Sequence, residues 1–190
     1  MTLPRRLPVG HLPGETQLWR IHERMHEPLW FGPSPGCPPQ NRFDAPGGEF
    51  RVCYFGESLE AAFVETMVRG RSRLMVALAE LHARVATAVP LARDLRLVRL
   101  HSDGLVRFSL SAAAPHAETY AECRRLAHAL WNHPDEIDGI EYRSRWDDSE
   151  FCIALFDRAS AALAPASPPL PLDAPAVIRP VLRRYHVGVD

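Results

Sequence analysis

A chain of 190 residues and 21.3 kDa, 46% hydrophobic and 24% charged, has the size and balance of one globular domain with a single sizeable core. Its 22 basic and 23 acidic residues leave a formal net charge of −1, so no overall basic field exists to draw in nucleic acid. Every basic residue is Arg and none is Lys, which excludes Schiff-base, P-loop-lysine and lysine-base chemistry.

No apolar run approaches the roughly 18 residues of a membrane span. The opening Met1-Thr2-Leu3-Pro4-Arg5-Arg6 leads into proline and polar residues, unlike the apolar core of a secretion signal, so the chain is expected in the cytoplasm and off membranes. Cys37, Cys53, Cys123 and Cys152 form no C-x-x-C pair and no disulfide framework. Cys53 and Cys152 sit in apolar strand-like runs and read as inert core thiols.

Residues 1–16 are rich in Pro and Gly and read as a loose N-terminal extension. Residues 17–160 carry the compact body. Residues 17–22 are dense in aromatic and β-branched side chains and form the first predicted strand. Residues 32–48 hold five Pro and four Gly, too many for a helix or a central strand. Such a long loop in a compact domain is usually functional.

A second strand spans 49–55, with Phe50, Val52 and Tyr54 on one side. A helix follows, capped by Ser58, with Glu60 at its positive end, a face of Leu59, Ala62, Phe63, Thr66 and Met67, and Gly70 as its close. Residues 75–81 and 95–100 are further strands. Residues 117–131 form the clearest helix, with Tyr120, Cys123, Arg124, Ala127, Leu130 and Trp131 near one face and Asn132-His133-Pro134 stopping it. Residues 140–144 and 151–156 are strands joined by a charged loop. Residues 161–190 read as a Pro-rich linker and C-terminal tail, with 177–187 returning as an edge strand or docking on a partner. The order of elements predicts an α+β fold, mostly antiparallel, with a few helices.

His22-Glu23-Arg24-Met25-His26 is a literal H-E-x-x-H, the spacing that sets two imidazoles on one helix face around Zn²⁺. It makes a small zinc peptidase an alternative reading. The strand-like run before it and Pro28 behind it argue instead for loop histidines and no metal. Arg20 ends an apolar strand, where a guanidinium needs an anion. Arg42 stands where the Pro/Gly loop runs into Gly47-Gly48. Two arginines with a glycine-rich loop suit a pyrophosphate, the alternative being that each pairs with a neighbouring carboxylate. Tyr54 ends the second strand, Glu65 falls at the edge of the helix's apolar face, and Ser144 closes a strand with no G-x-S-x-G elbow around it.

Taken together these residues resemble the RES-domain family, toxins of bacterial toxin–antitoxin pairs, over about residues 18–159. The resemblance rests on Leu18-Trp19-Arg20-Ile21, on Asn41-Arg42-Phe43-Asp44 with Gly47-Gly48, and on Tyr54 followed by Ala61 to Glu65-Thr66. It is completed by Asp138-Gly139-Ile140-Glu141-Tyr142-Arg143-Ser144-Arg145 with Ala154-Leu155-Phe156-Asp157. The family's commoner Gly-Arg-Trp-Asn appears here as Asn41-Arg42-Phe43-Asp44. The resemblance implies a fold similar to ADP-ribosyltransferases and an enzyme that degrades NAD⁺ at its nicotinamide–ribose bond, by phosphorolysis or hydrolysis. Protein ADP-ribosylation is the alternative within the same chemistry. It implies NAD⁺ as substrate, inorganic phosphate as co-substrate of the phosphorolysis, and no cofactor. It also implies a helix-turn-helix antitoxin of the Xre type as partner, with a homodimer as one arrangement inside that complex. By position it carries catalytic roles to Arg20, Tyr54, Glu65 and Ser144, and substrate binding to Arg20, Arg42, Tyr54 and Ser144.

The implied chemistry suits the residue types. Glycosidic cleavage of NAD⁺ passes through an oxocarbenium-like state that a carboxylate such as Glu65 stabilises, and nicotinamide leaves as a neutral base without a general acid.

Overall fold

The computed structural model describes residues 3–34, 36–69, 74–110 and 120–190. Its main sheet has eight strands: β1 (Val9–Leu12), β2 (Gln17–Glu23), β3 (Val52–Gly56), β5 (Arg84–Pro90), β6 (Leu95–Leu100), β7 (Gly139–Arg143), β8 (Phe151–Phe156) and β9 (Leu170–Pro171). They lie in the order β1-β6-β7-β8-β3-β2-β5-β9, and every neighbouring pair is antiparallel except β6 with β7. A parallel pair needs a long crossover, and the α4 helix (Ala121–Trp131) lies within it. β4 (Met75–Val76) pairs in parallel with β10 (Gly188–Val189). The α1 helix (Leu59–Phe63), α2 (Leu78–His82), α3 (Asp103–Arg107) and α5 (Pro175–Tyr185) complete the α+β arrangement that the element order predicts.

Side-chain alternation sorts the core. Val52 and Tyr54 of β3 join a cluster with Phe43, Phe50, Leu126, Leu130 and Tyr142, in which α4 is packed. The alternating Cys53 and Phe55 join Leu18, Leu97, Ile153 and Leu155 on the other side, as a period of two requires. A further cluster gathers Phe63 and Met67 against Ile178 and Val181 of α5. Gly56 permits the tight β3–α1 junction, because a Cβ there would stand 2.5 Å from the Ala62 nitrogen.

Several predicted elements change. The stretch 1–16 contains β1, whose register against β6 runs from Val9↔Val98 to Leu12↔Leu95. Residues 75–81 divide into β4 and α2, because a short apolar run carries no period that separates strand from helix. β5 has no sequence signal: its inner residues Val85 to Val89 are all buried, so no alternation shows, yet it pairs with β2 along seven residues. Residues 177–187 are mostly helix, begun by Pro175 in the first turn and ended by His186 in the left-handed region at φ 51°. Their β-branched residues and Pro180 read as an edge strand, but Ile178 and Val181 recur at helical spacing and find an apolar surface. Residues 117–119 and the closing Gly70 lie outside the described residues.

Candidate active site

The first and the last of these clusters meet at a cleft lined from β2 (Trp19, Arg20), β3 (Tyr54), the Pro/Gly loop (Asn41, Arg42), the α1 extension (Glu65, Arg69) and the loop after β7 (Arg145, Trp146). Arg20, Arg42, Tyr54 and Glu65 all line it, and Ser144 reaches it through Glu65. The five residues read from the sequence are therefore one site, although Arg20 and Ser144 are more than a hundred positions apart.

Glu65 owes its placement to a change of helix type. Ser58 caps α1, accepting from the Ala61 amide at 2.9 Å, and after Phe63 the chain widens into a π turn, Val64–Val68. Such turns shift the register of the residues they carry and recur at functional sites. The shift also exposes Thr66, which the α-helical face counted as core, while Val64, Met67 and Val68 are buried. Glu65 Oε1 accepts from the Ser144 hydroxyl at 2.7 Å and from the Arg145 amide at 3.1 Å. Ser144 is 1% exposed, and its oxygen also accepts from the Trp146 amide at 3.1 Å. The serine thus holds the carboxylate and the start of its own loop together.

Arg42 is 7% exposed, and its Nε and Nη1 are buried without a hydrogen-bond partner. Its guanidinium lies 5.1 Å from the Tyr142 ring centroid and 5.9 Å from those of Phe43 and Tyr120. Aromatic faces favour a cation but do not satisfy its N–H groups. The loop that delivers it is pinned. Asp44, fully buried, accepts from the Gln40 and Asn41 amides at 2.9 and 2.6 Å and from the Tyr54 hydroxyl at 2.9 Å. Arg124 on α4 donates to the carbonyls of Asn41 and Pro39.

Arg20 sits where β2 and β3 diverge, for the two share the single register pair Trp19↔Gly56. Its Nη1 donates to the Tyr54 carbonyl at 3.2 Å and to Cys53 Sγ at 2.8 Å, and its Nε has no partner. The Tyr54 hydroxyl also accepts from the Phe43 amide at 3.0 Å. Burial, then the Asp44 charge, pushes that phenol well above its ordinary pKa; burial does the same for Tyr142, so both stay neutral. Burial likewise raises the thiols of Cys53 and Cys152, as core residues.

Of the charged residues lining the cleft four are Arg (20, 42, 69, 145) and one is Glu, so it favours an anion while keeping one carboxylate within. Sequence reasoning missed Arg69 and the rim aromatics Trp30 and Trp146, 47% and 38% exposed. Arg69, Trp30 and Trp146 follow no periodicity; Arg145 was visible only as the residue after Ser144.

The H-E-x-x-H reading is overturned. His22 and Glu23 end strand β2, so the two imidazoles do not share a helix face. His22 is buried, its Nδ1 donating to the Glu23 carbonyl at 3.0 Å and its Nε2 accepting from Thr87 at 2.9 Å, whereas the His26 side chain is 68% exposed. Among the described residues no three His, Cys, Asp or Glu side chains converge as metal ligands. No helix among them is long and apolar enough to cross a membrane.

Three comparisons bear on this geometry. The profile of one family, described as the RES domain, matches residues 17–174. A protein of Sinorhizobium fredii (strain NBRC 101917 / NGR234) described as probable toxin y4kH is 34% identical over 95 residues, half of this chain and 74% of that protein. The fold superposes on a chain of the crystal structure of the M. tuberculosis MbcT–MbcA toxin–antitoxin complex with a TM-score of 0.65, at 16% identity, covering 90% of this chain and 92% of that one.

Proposed function

Because this chain belongs to the RES domain family, we propose that it is the toxin of a toxin–antitoxin pair, an enzyme that degrades NAD⁺ in the cytoplasm by breaking the nicotinamide–ribose bond. The observation that carries this reading is a cleft in which one carboxylate, held by Ser144 and the Arg145 amide, faces two arginines with unpartnered nitrogens, Nε of Arg20 and Nε and Nη1 of Arg42.

NAD⁺ is anionic at its pyrophosphate and cationic at its nicotinamide ring. Arg42 and Arg20 offer donors to the pyrophosphate, or to an inorganic phosphate that serves as nucleophile. Glu65 stabilises the positive charge that grows on the ribose as the C–N bond lengthens, and holds a ribose hydroxyl. The electron pair of that bond leaves with nicotinamide, which departs neutral and needs no proton. Phosphate or water then bonds to the anomeric carbon through oxygen and gives up its proton to solvent, yielding ADP-ribose phosphate or ADP-ribose. The Tyr54 ring stacks on the nicotinamide while its hydroxyl stays on Asp44. The partner is a cognate helix-turn-helix antitoxin of the Xre type, covering the cleft.

Incubating the purified protein with NAD⁺, with and without inorganic phosphate, and separating the products tests this. Released nicotinamide is expected, and a phosphate-dependent sugar phosphate marks phosphorolysis. NAD⁺ left intact in both mixtures but consumed when a cell extract supplies an acceptor protein moves the reading to ADP-ribosylation; intact NAD⁺ throughout overturns both.

A further inference from the structure

The family match ends at residue 174, immediately before α5 begins at Pro175, so nothing in that match assigns a role to the C-terminal helix. Its last turn nevertheless reaches the loop 144–150, whose first residue holds Glu65. The Tyr185 hydroxyl donates to Asp147 Oδ2 at 2.9 Å. Arg184 Nη2 lies 3.3 Å from the same oxygen and 2.6 Å from Glu150 Oε1.

Each of these carboxylates passes the constraint onward. Asp147 Oδ1 accepts from the Ser149 amide and hydroxyl at 3.0 and 2.6 Å, which closes the loop on itself, and the Asp147 amide points at Ser144 Oγ. Glu150 accepts from Ser58, the cap of α1, and its carbonyl accepts from the Ser144 amide at 2.9 Å. The two routes converge on one atom: Glu65 is carried by the helix that Ser58 caps, and its oxygen is gripped by the residue at which the loop starts. Ile178 and Val181 of α5 meanwhile pack against Phe63 and Met67, behind the same carboxylate. The end of the chain is anchored independently, for Gly188 and Val189 pair with Met75 and Val76.

We propose that Arg184 and Tyr185 are positioning residues: from a helix outside the segment that the family profile matches they fix the 144–150 loop and the α1 cap, and so hold Glu65, Arg145 and Trp146 in their working arrangement. Burial raises the Tyr185 phenol, and the bond to Asp147 raises it further, so it remains the donor across the working pH range. Neither residue lines the cleft. A displacement of about 1 Å at a reacting carboxylate costs up to about a hundredfold in rate.

The proposal rests on the NAD⁺ reading for its kinetic arm only. Tyr185→Phe and Arg184→Ala are expected to lower kcat for NAD⁺ loss by about ten- to a hundredfold while KM stays within about twofold. Arg184→Lys is expected to recover most of the loss, because one nitrogen makes all the Arg184 contacts to the loop. Amide hydrogen exchange supplies a readout without substrate: residues 144–150 are expected to exchange faster in Tyr185→Phe, with β3 and β8 unchanged. Unchanged exchange at 144–150, or wild-type kcat in both variants, overturns the proposal. A wild-type protein that leaves NAD⁺ intact, while Tyr185→Phe still loosens that loop, overturns the NAD⁺ reading and supports the tie from α5.

Discussion

At Arg93 a guanidinium meets its carboxylate: Nη1 and Nη2 donate to the two oxygens of Asp138 at 2.9 and 2.7 Å, and the Arg96 amide adds a third donor at 2.8 Å. At Arg42 a more deeply buried guanidinium lies among aromatic rings, with Nε and Nη1 unpartnered. Burying an unpaired ion costs several kcal/mol, so a fold tolerates it where a ligand repays the cost. The Arg93 pair is an element of stability, and under the proposed function the Arg42 site is an element of binding. Both arginines stand in ordinary sequence, and what separates them is whether the chain returns a carboxylate to the same place.

Substitutions can break this contrast. The largest effect is expected at Glu65, whose partners are neutral donors and whose charge is thereby free for the substrate: Glu65→Gln should lower kcat by about a thousandfold, or ~4 kcal/mol, with the melting temperature unchanged. A rate within a few fold of wild type removes Glu65 from the chemistry. Next, Arg42→Ala should raise KM for NAD⁺ or phosphate by about thirty- to a hundredfold, or ~2–3 kcal/mol, while the melting temperature holds or rises. A fall in melting temperature with unaltered KM makes Arg42 structural and erases the contrast with Arg93.

Asp138→Asn should do the reverse, costing about 1–3 kcal/mol of stability in denaturant titration and leaving KM and kcat alone. Burial raises the Asp138 carboxyl, but the Arg93 and Arg96 donors outweigh it and hold the pKa below its ordinary 3.8. A depressed folded pKa stabilises above the unfolded value, so this contribution is present above about pH 4 and is lost as pH falls through the folded value. The same substitution should therefore flatten the acid limb of a stability–pH curve.

The smallest effect concerns a carboxylate met by carboxylates. Burial, then the charge of Glu141, raises Glu57 from 4.5 to about 7. The folded state then binds more protons than the unfolded state between those values, so stability falls as pH rises from about 4.5 through 7. Glu57→Gln should gain about 1 kcal/mol at pH 8 and nothing at pH 5, read as melting temperature at the two pH values. An equal gain at both would assign the effect to packing.

Much of this was legible in the chain. Phe151–Phe156 is a short, wholly apolar run bounded by charge, and Leu95–Leu100 is a short run of Leu and Val whose Leu95 and Leu97 join one core cluster and whose Val98 and Leu100 join another; both read as strands from their length and apolar density. Ser58 caps its helix as its position before Glu60 suggests. The site residues were legible through family motifs, and Tyr54, Glu65 and Ser144 do meet in one region. The misreadings share a cause. β5 is buried throughout, β1 is a short edge strand in a Pro-rich stretch, and α5 mixes Pro with β-branched residues, so in each the decisive partner lies elsewhere in the chain.

By itself the amino-acid sequence determined an arginine-only basic set, a near-neutral net charge, the place of five of the main sheet's eight strands and the N-cap of α1, since each depends on composition or on near neighbours. Tertiary structure alone decided that Glu65 rests on Ser144 across 79 positions, that Arg93 finds Asp138 while Arg42 finds no carboxylate among the described residues, and that the last turn of α5 grips the loop of the site. Local sterics act over three or four residues, whereas the pairing of a charge is set by chain closure over many tens, and no local pattern records where that closure ends.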